Sequence, residues 1–174
     1  MLSALTFRKS AGFSLIELMV SVVVLGILAS IAVPSFQTWI RNTQIRNAAE
    51  SITNGLQRAR AEAVSRNTNT SFVLGTDSSW TISVVNPALT IDQRLASEGS
   101  KNVTRTVLPT AATTVTFSNV GLVVSPNADG SNPITQVDLV AAGGSQNLRV
   151  TIGTGGNARM CDPNMASGSS PRAC

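Results

Sequence analysis

The sequence predicts an α+β fold in which one long N-terminal helix packs on an antiparallel β-sheet head. Three observations support this prediction: an apolar run at residues 13–33, a helical repeat of apolar residues that continues to about residue 67, and short β-type segments after that point. The chain has 174 residues, which suits one globular unit in addition to the N-terminal segment. A second globular domain is not expected.

The first element is the apolar run at residues 13–33, in which Glu17 is the only ionisable side chain. A helix of about 20 apolar residues is long enough to cross a bilayer. Arg8 and Lys9 lie just before the run, and because basic residues favour the cytoplasmic side, the N-terminus is expected inside and the rest of the chain outside. Two other interpretations are a plain single-span anchor and an ordinary secretory signal peptide, removed after the small-x-small sequence that ends at Ala32.

Glu17 is unusual in such a run, because a carboxylate in the middle of a membrane helix costs about 2.5 to 3.5 kcal/mol on insertion scales, and less near an interface. A partner for this carboxylate is therefore expected. Cleavage between Gly12 and Phe13 would create an α-amino group one helical turn from Glu17, either in the same molecule or in an identical neighbour. The sequence thus indicates an assembly contact at Glu17.

The helix is expected to continue over residues 35–67 as an amphipathic segment. Its apolar positions alternate in steps of four and three and share one face: Ile45, Ala49, Ile52, Leu56, Ala59 and Ala63. Charged residues occupy other positions, and Gly55 is expected to weaken the helix. The combined helix would be about 80 Å long at 1.5 Å per residue. Its first half then suits a membrane or a filament core, and its second half packs against the head.

The head is expected to begin at residue 68 and to consist of short antiparallel strands. Segments rich in β-forming residues predict seven strands, at residues 70–74, 80–85, 93–96, 104–108, 115–118, 135–141 and 148–152. Turns are expected at residues 119–122 and 127–130, and residues 143–145 resemble a hairpin tip between the last two strands.

Composition argues against most enzymatic functions. The chain has no His, only 13 % charged residues and 4 % aromatic residues, which is typical of a β-rich secreted protein. Without His, neither a catalytic triad nor a three-ligand zinc site is expected. Lys101 is the only lysine after Lys9, and no Ser-x-x-Lys spacing precedes it. The formal charge is +4, and loss of Arg8 and Lys9 would lower it further, so charge alone does not indicate nucleic-acid binding.

Cys161 and Cys174 are the only cysteines, and both lie at the end of the chain. A late pair separated by a Gly-, Ser- and Pro-rich stretch is typical of a loop-closing disulfide in an oxidising compartment. For a loop of about 15 residues such a bond contributes roughly 3 kcal/mol. Metal binding is the alternative, although two thiols without His make a poor metal site.

The residues around the expected cleavage point carry a resemblance to a known family. Gly12-Phe13-Ser14-Leu15-Ile16-Glu17, with a short basic leader before it and an apolar run after it, resembles the class III signal of type IV pilins and type II secretion pseudopilins. The resemblance implies that a prepilin peptidase cleaves between Gly12 and Phe13 and methylates the new amino group of Phe13. It also implies that Glu17 aligns subunits by meeting a neighbour's amine.

The rest of the chain resembles one branch of that family. A long helix followed by a head without a second helix is similar to the GspH/FimT branch of pseudopilins and minor pilins. Residues 58–66 resemble the end of the branch's helix, where a sequence of the type RxEAvxR leads into the first strand, and residues 117–121 resemble its Phe-x-x-x-Gly turn. The resemblance implies four parts: a leader at 1–12, a transmembrane and assembly helix at 13–34, an amphipathic helix half at 35–67 and a periplasmic β-rich head at 68–174.

A DNA-binding role is a further hypothesis. DNA-uptake minor pilins of the FimT kind carry a Gly-Arg-x-Arg sequence near the C-terminus, and here the corresponding residues 156–159 contain one arginine instead of two. Arg159, Arg172 and Arg149 are candidate DNA contacts, because each could neutralise a phosphate. The alternative is that they are solvated surface arginines.

The C-terminal cysteine loop is similar to the disulfide-closed loop of type IV pilins, including FimU-like minor pilins, and favours a pilus over a secretion system. The resemblance implies a minor pilin of the pilus tip or priming complex, with expected roles in biogenesis, twitching motility, adhesion or DNA uptake.

Its expected partners are other major and minor pilins, the prepilin peptidase and the inner-membrane assembly machinery. The expected location is the inner membrane, with a cytoplasmic N-terminus and a periplasmic head, and then the pilus. A type II secretion pseudopilin of the GspH kind is the alternative. No cofactor or metal is expected.

Overall fold

The computed structural model describes residues 12–168 and 170–174, so that the predicted leader, apart from Gly12, lies outside the described residues. The described chain forms one helix and eight strands. It divides into two compact units, of which the first comprises the described residues up to Gln37 and the second is Thr38–Cys174.

The helix α1 spans Leu15–Ser65, close to the predicted extent, and it continues through Pro34. It ends in a Schellman arrangement, in which Asn67 has a φ of 50°. The Asn67 amide donates to the Val64 carbonyl at 3.2 Å, and the Thr68 amide donates to the Ala63 carbonyl at 3.1 Å. These bonds satisfy carbonyls that a helix end otherwise leaves unpaired, and Asn tolerates the left-handed conformation they require.

The strands form two antiparallel four-stranded sheets. The first sheet has the order β3-β2-β1-β5, with β1 at Thr70–Leu74, β2 at Trp80–Val84, β3 at Leu89–Arg94 and β5 at Thr114–Phe117. The second sheet has the order β4-β6-β7-β8, with β4 at Val103–Leu108, β6 at Gln136–Ala141, β7 at Leu148–Ile152 and β8 at Ala158–Cys161. The predicted α+β class with an antiparallel head is therefore confirmed.

Two strands differ from the sequence-based prediction. The third strand begins at Leu89 rather than at residue 93, because β2 and β3 form a tight hairpin in which Val84 lies opposite Leu89. The strand β8 was not predicted. Its residues have weak β propensity, and its extended conformation comes from pairing with β7, where Val150 lies opposite Met160.

The predicted apolar face of the helix is buried. All six of its predicted positions from Ile45 to Ala63 are at most 1 % exposed, and they share one core with the inward side chains of both sheets. Ser51 also lies on this face, where its hydroxyl accepts a 2.8 Å hydrogen bond from the indole Nε1 of Trp80. This bond satisfies a buried donor that would otherwise be left unpaired.

The predicted turns are also present. Gly121 has a φ of 78° and Gly130 a φ of 81°, a backbone region that glycine adopts without steric cost. The segment between β6 and β7 forms a hairpin loop around residues 143–145, as expected. In this loop the backbone amides of Ser145 and Gln146 donate to the side-chain carbonyl of Asn42, at 2.9 and 3.2 Å. The loop is thereby fastened to α1.

Candidate assembly site

The first turn of α1 is built around Ser14. The Ser14 hydroxyl accepts a hydrogen bond from the Glu17 amide at 3.3 Å, and its carbonyl accepts one from the Leu18 amide at 3.2 Å. Ser14 is thus the N-cap, and Glu17 occupies the third helical position, which is the spacing of a capping box. A negative charge at this end of a helix is favoured by the helix dipole. Ser14 therefore caps α1, and Glu17 lies within the capped first turn.

Residues 12–37 are all exposed, although most of them are apolar. Phe13 is 86 % exposed, and the large apolar side chains from Leu15 to Phe36 are exposed as well. The helix is long and apolar enough to cross a membrane, by length and composition. A contiguous apolar surface of this size in water is unfavourable, so the segment requires a lipid or protein cover.

Glu17 has no ion pair among the described residues, 12–168 and 170–174. Its carboxylate is available to a positive group from outside the described chain. The geometry does not test the predicted contact with an α-amino group, which stays a prediction, as does the cleavage between Gly12 and Phe13.

The two family-like motifs of the sequence, the helix end at residues 58–66 and the Phe-x-x-x-Gly turn at residues 117–121, contact each other in the structure. The Nε of Arg60 donates a 2.9 Å hydrogen bond to the carbonyl of Gly121, the glycine of the Phe-x-x-x-Gly turn. A Cβ atom at position 121 would lie 3.0 Å from this Nε and 3.2 Å from Cγ2 of Val64. The turn therefore needs glycine both for its positive φ and for its close approach to α1.

Neighbouring charged residues of the same helix end form ion pairs. Arg58 contacts Asp92 of β3 at 2.6 Å, and Arg66 contacts Glu62 at 2.7 Å. These pairs are partly exposed and contribute little individually. The Arg58–Asp92 pair joins the helix end to the first sheet, whereas the Arg66–Glu62 pair is local to the helix end.

The cysteine pair closes the C-terminus. Cys161 and Cys174 form a disulfide with a Cα–Cα distance of 5.1 Å, and Cys161 is buried. Asp162 and Ala173 form an isolated parallel bridge beside it. The Nη2 of Arg159 donates to the carbonyls of Pro171 and Ala173, at 2.7 and 3.2 Å. The tail is thus held by a disulfide, a backbone bridge and one arginine.

The three predicted DNA-contact arginines have different surroundings. Arg149 donates to both carboxylate oxygens of Asp138, at 2.6 and 3.2 Å, and these bonds raise the pKa of its guanidinium. Arg159 holds the tail, and Arg172 is exposed on it. The structure does not show the three arginines as one basic surface, because Arg149 pairs with Asp138 and Arg159 bonds the tail. Contact with DNA stays a prediction. Retardation of DNA in a gel by the protein, with loss on Arg172→Ala, would support it.

Sequence reasoning missed two residues that shape these regions. From the sequence, Ser14 is interpreted only as part of the cleavage motif. Its spacing of three residues before Glu17 is also the sequence pattern of a capping box, which indicates the start of a helix. Arg60 was read as one member of a motif, and its contact with Gly121 has no local sequence signal because 61 positions separate them. Among the described residues, no group of three or more His, Cys, Asp or Glu side chains is placed to hold a metal.

An exposed apolar helix that Ser14 caps and that carries Glu17 in its first turn, continuing into a helical segment packed on antiparallel sheets, is typical of the type IV pilin-like class of proteins. The family model described as type II transport protein GspH matches residues 48–165, and the prokaryotic N-terminal methylation motif matches residues 7–33. The chain therefore belongs to the GspH family, in the GspH/FimT-like branch of type IV pilins and pseudopilins.

Two curated fimbrial proteins of Pseudomonas aeruginosa are each 42 % identical to this chain over 57 residues, which is 33 % of this chain. The match spans 36 % of the length of each relative. Likeness at this coverage supports a shared segment rather than a shared activity of the whole protein.

Solved structures resemble the fold over most of the chain. The type IV minor pilin FimU of Pseudomonas aeruginosa has a TM-score of 0.50 and 21 % identity, covering 74 % of this chain and 98 % of that one. The minor pseudopilin EpsH from the type 2 secretion system of Vibrio cholerae has a TM-score of 0.52 and 14 % identity, covering 70 % of this chain and 99 % of that one. At these identities the likeness concerns the fold, and it is equal for a pilus protein and a secretion protein.

Proposed function

We propose that the chain is a minor type IV pilin, a structural subunit of the tip or priming complex that initiates pilus assembly. The observation that carries the proposal is the exposed apolar helix with Glu17 in its capped first turn, directly after the Gly12-Phe13 sequence. Expected roles in twitching motility, adhesion or DNA uptake follow from incorporation into the fibre. The chain itself is a substrate of processing and performs no catalysis.

The proposed maturation begins in the inner membrane, with the N-terminus in the cytoplasm and the head in the periplasm. The prepilin peptidase cleaves between Gly12 and Phe13 and methylates the Phe13 amine. Gly12 to Ser14 lie outside the helix, which begins at Leu15, so the cleavable bond is in irregular backbone. A peptide bond in this position supports access by a protease.

The proposed assembly step pairs Glu17 with the α-amino group of a neighbouring pilin. Moving the apolar segment from lipid into a bundle of similar helices leaves its hydrophobic transfer free energy almost unchanged, because both environments are apolar. An unpaired carboxylate in such a bundle is penalised, whereas a paired one is not. Glu17 therefore selects the register in which major and minor pilins meet.

The test is a Glu17→Ala variant expressed in a strain that lacks the native chain. We expect normal membrane insertion and cleavage, because the apolar run is retained, but reduced recovery in sheared pilus fractions. Glu17→Asp is the matched control, because it retains the charge on a shorter side chain and should recover part of the incorporation. Mass spectrometry of the mature N-terminus reads out cleavage and methylation independently. Normal incorporation of Glu17→Ala would refute the register role.

A type II secretion pseudopilin is the second candidate, supported by the GspH family match and by the likeness to EpsH. The C-terminal disulfide supports the pilus instead, because the resemblance drawn from the sequence associates such a loop with pilins. Deletion of the gene separates the two candidates. Loss of twitching with normal release of secreted proteins supports the pilin, and the reverse result supports the pseudopilin.

A further inference from the structure

The strand β5 lies at the end of the first sheet, where β1 pairs with one side of it. An end strand ordinarily leaves one row of backbone N–H and C=O groups open, and another chain can add a strand there. All four residues of β5, Thr114–Phe117, are nevertheless buried. The second side of β5 contacts an irregular covering segment, residues 122–134.

The covering segment makes two backbone hydrogen bonds to the middle of β5. The Val124 amide donates to the Thr116 carbonyl at 2.8 Å. The Ile134 amide donates to the Thr114 carbonyl at 3.0 Å. Neither bond satisfies the Thr116 amide, which points to the same side of the strand as the Thr116 carbonyl. The turn at residues 127–130, which the sequence predicts, lies between the two donors.

The side chain of Asn127, the first residue of this turn, supplies the remaining bond. Its Oδ1 accepts a hydrogen bond from the Thr116 amide at 2.8 Å, and its Nδ2 donates to the Thr114 carbonyl at 3.1 Å. A backbone amide can only donate and a carbonyl can only accept, so these partners fix the orientation of the side-chain amide. Nδ2 also donates to Oγ of Ser131 at 3.0 Å, and Asn127 is 3 % exposed. One side chain thus pairs with β5 as the backbone of a neighbouring strand would.

The turn holds Asn127 in this position. The Asn127 amide donates to the Ser131 carbonyl at 2.8 Å, and the Gly130 amide donates to the Asn127 carbonyl at 2.9 Å. The Ala128 amide donates to Oγ1 of Thr116 at 3.2 Å, which joins the turn to β5 a second time. The backbone on both sides of the Asn127 side chain is therefore fixed before the side chain pairs with the strand.

We propose that Asn127 is an edge cap, which fastens the covering segment to β5 and prevents a second copy of this chain from adding a strand there. A second copy is the partner because residues 112–118, Ala-Thr-Thr-Val-Thr-Phe-Ser, contain no charge, proline or glycine and are rich in β-branched residues. Such segments pair readily with identical segments when their edge is open. The inference concerns the head and does not depend on the proposed function.

Hydrogen exchange of the full chain in detergent, followed by NMR, measures the cap directly. The Val115 amide is the internal reference, because successive residues of a strand point to opposite sides and Val115 therefore faces β1. In Asn127→Ala we expect about tenfold faster exchange of the Thr116 amide and unchanged exchange of the Val115 amide. Asn132→Ala is the matched control, because Asn132 is exposed in the same covering segment, and it should change neither rate. An unchanged Thr116 rate in Asn127→Ala would overturn the inference.

Asn127→Asp is a second variant of nearly the same volume. Its carboxylate still accepts from the Thr116 amide but cannot donate to the Thr114 carbonyl. We expect the Thr116 amide to stay slow relative to the Val115 amide. Fast exchange of the Thr116 amide alone in this variant would overturn the assignment by itself, even if Asn127→Ala does not fold.

Self-association tests the protection against strand addition. Sedimentation velocity of the full chain in detergent, at rising protein concentration, should show a growing apparent mass for Asn127→Ala and a constant one for the wild type and Asn132→Ala. Faster Thr116 exchange without growing mass would overturn the role of Asn127 as a barrier to a second copy. Equal association of the wild type would overturn it as well.

Discussion

Gly55 illustrates, at the scale of single residues, how packing overrides helix propensity. Glycine in a helix interior costs roughly 0.5 to 1 kcal/mol relative to alanine. A Cβ atom at this position would lie 2.8 Å from Cε2 of Phe72 and 3.0 Å from Cε2 of Trp80. Both rings are buried, so neither can move away cheaply. The glycine allows α1 to approach the first sheet.

We therefore predict that Gly55→Ala lowers the free energy of unfolding by about 1 to 3 kcal/mol, as overpacked cores generally do, in spite of the gain in helix propensity. Urea denaturation followed by circular dichroism measures the change. Asn54→Ala is the matched control at a neighbouring exposed position and should leave stability within about 0.5 kcal/mol. If Gly55→Ala were as stable as the wild type or more stable, the rings of Phe72 and Trp80 would have to shift to accommodate the added methyl group, and the prediction would be wrong.

Two aspartates make stability depend on pH at the residue scale. In the turn at Asp77 the amide of Ser79 donates to the carboxylate at 2.8 Å, and in the turn at Asp129 the amide of Ser131 donates at 2.9 Å. Hydrogen bonds from the serine hydroxyls and these amides lower the pKa of both carboxyls below the usual 3.8.

A carboxyl whose pKa is lower in the folded than in the unfolded chain stabilises the fold above its unfolded pKa. This stabilisation is lost as the pH falls through the folded pKa. We predict that the free energy of unfolding declines below about pH 4, and that an Asp77→Asn/Asp129→Asn variant shows a smaller decline. Denaturant titrations at neutral and acidic pH measure the free energy of unfolding of the wild type and of the variant. Identical pH profiles for the two proteins would contradict the assignment.

At the scale of elements, the C-terminal tail returns to the end of β8 in the second sheet. The bridge between Asp162 and Ala173 lies beside β8, and the Asp162 amide donates to the Arg172 carbonyl at 2.7 Å. An edge strand with open backbone groups can pair with other chains, so a bonded tail beside the last strand reduces that hazard. The disulfide keeps the tail in this place.

We predict that a Cys161→Ser/Cys174→Ser variant loses about 2 to 4 kcal/mol of stability, because the sequence separation of 13 closes a loop of moderate length. Chemical denaturation of the variant and of the oxidised wild type provides the comparison. Arg159→Ala is the control for the other attachment of the tail and should cost less, since it keeps the covalent link. Unchanged stability after loss of the disulfide would mean that the hydrogen bonds alone hold the tail.

At the scale of the whole molecule, the core belongs to one unit. Among residues 12–168 and 170–174, every buried apolar residue lies at or after Ile45, and residues 12–37 are all exposed. The unit Thr38–Cys174 therefore has its own hydrophobic core.

We predict that a chain beginning at Thr38 folds and stays soluble without detergent, with a cooperative denaturation transition, whereas the full chain requires detergent or lipid. Gel filtration and circular dichroism measure both properties. The reason is that truncation removes exposed apolar surface without opening the core. A truncated chain without a cooperative transition would show that residues before Thr38 are needed for folding.

Much of this architecture was accessible from local sequence patterns. The apolar run, the buried face of α1, six of the strand positions to within one residue and the left-handed turn glycines each follow from a period or a residue type that acts over a few positions. The family assignment followed from residues 12–17, where chemistry and spacing coincide. These features are local, so neighbouring residues determine them.

Tertiary structure decided what depends on distant residues. The packing of Gly55 against Phe72 and the hydrogen bond from Arg60 to Gly121 join segments that are far apart in the chain. β8 and the start of β3 depend on pairing with the preceding strand, which their own residues do not signal. Arg159 is a further example. The sequence predicts it as a candidate DNA contact, and in the structure its guanidinium donates a hydrogen bond to the carbonyl of Pro171 in the C-terminal tail. The sequence by itself determined the membrane-type helix, the carboxylate within it and the kind of head that follows. Only folding decided which groups meet, because burial and hydrogen bonding between remote segments exceed local propensity.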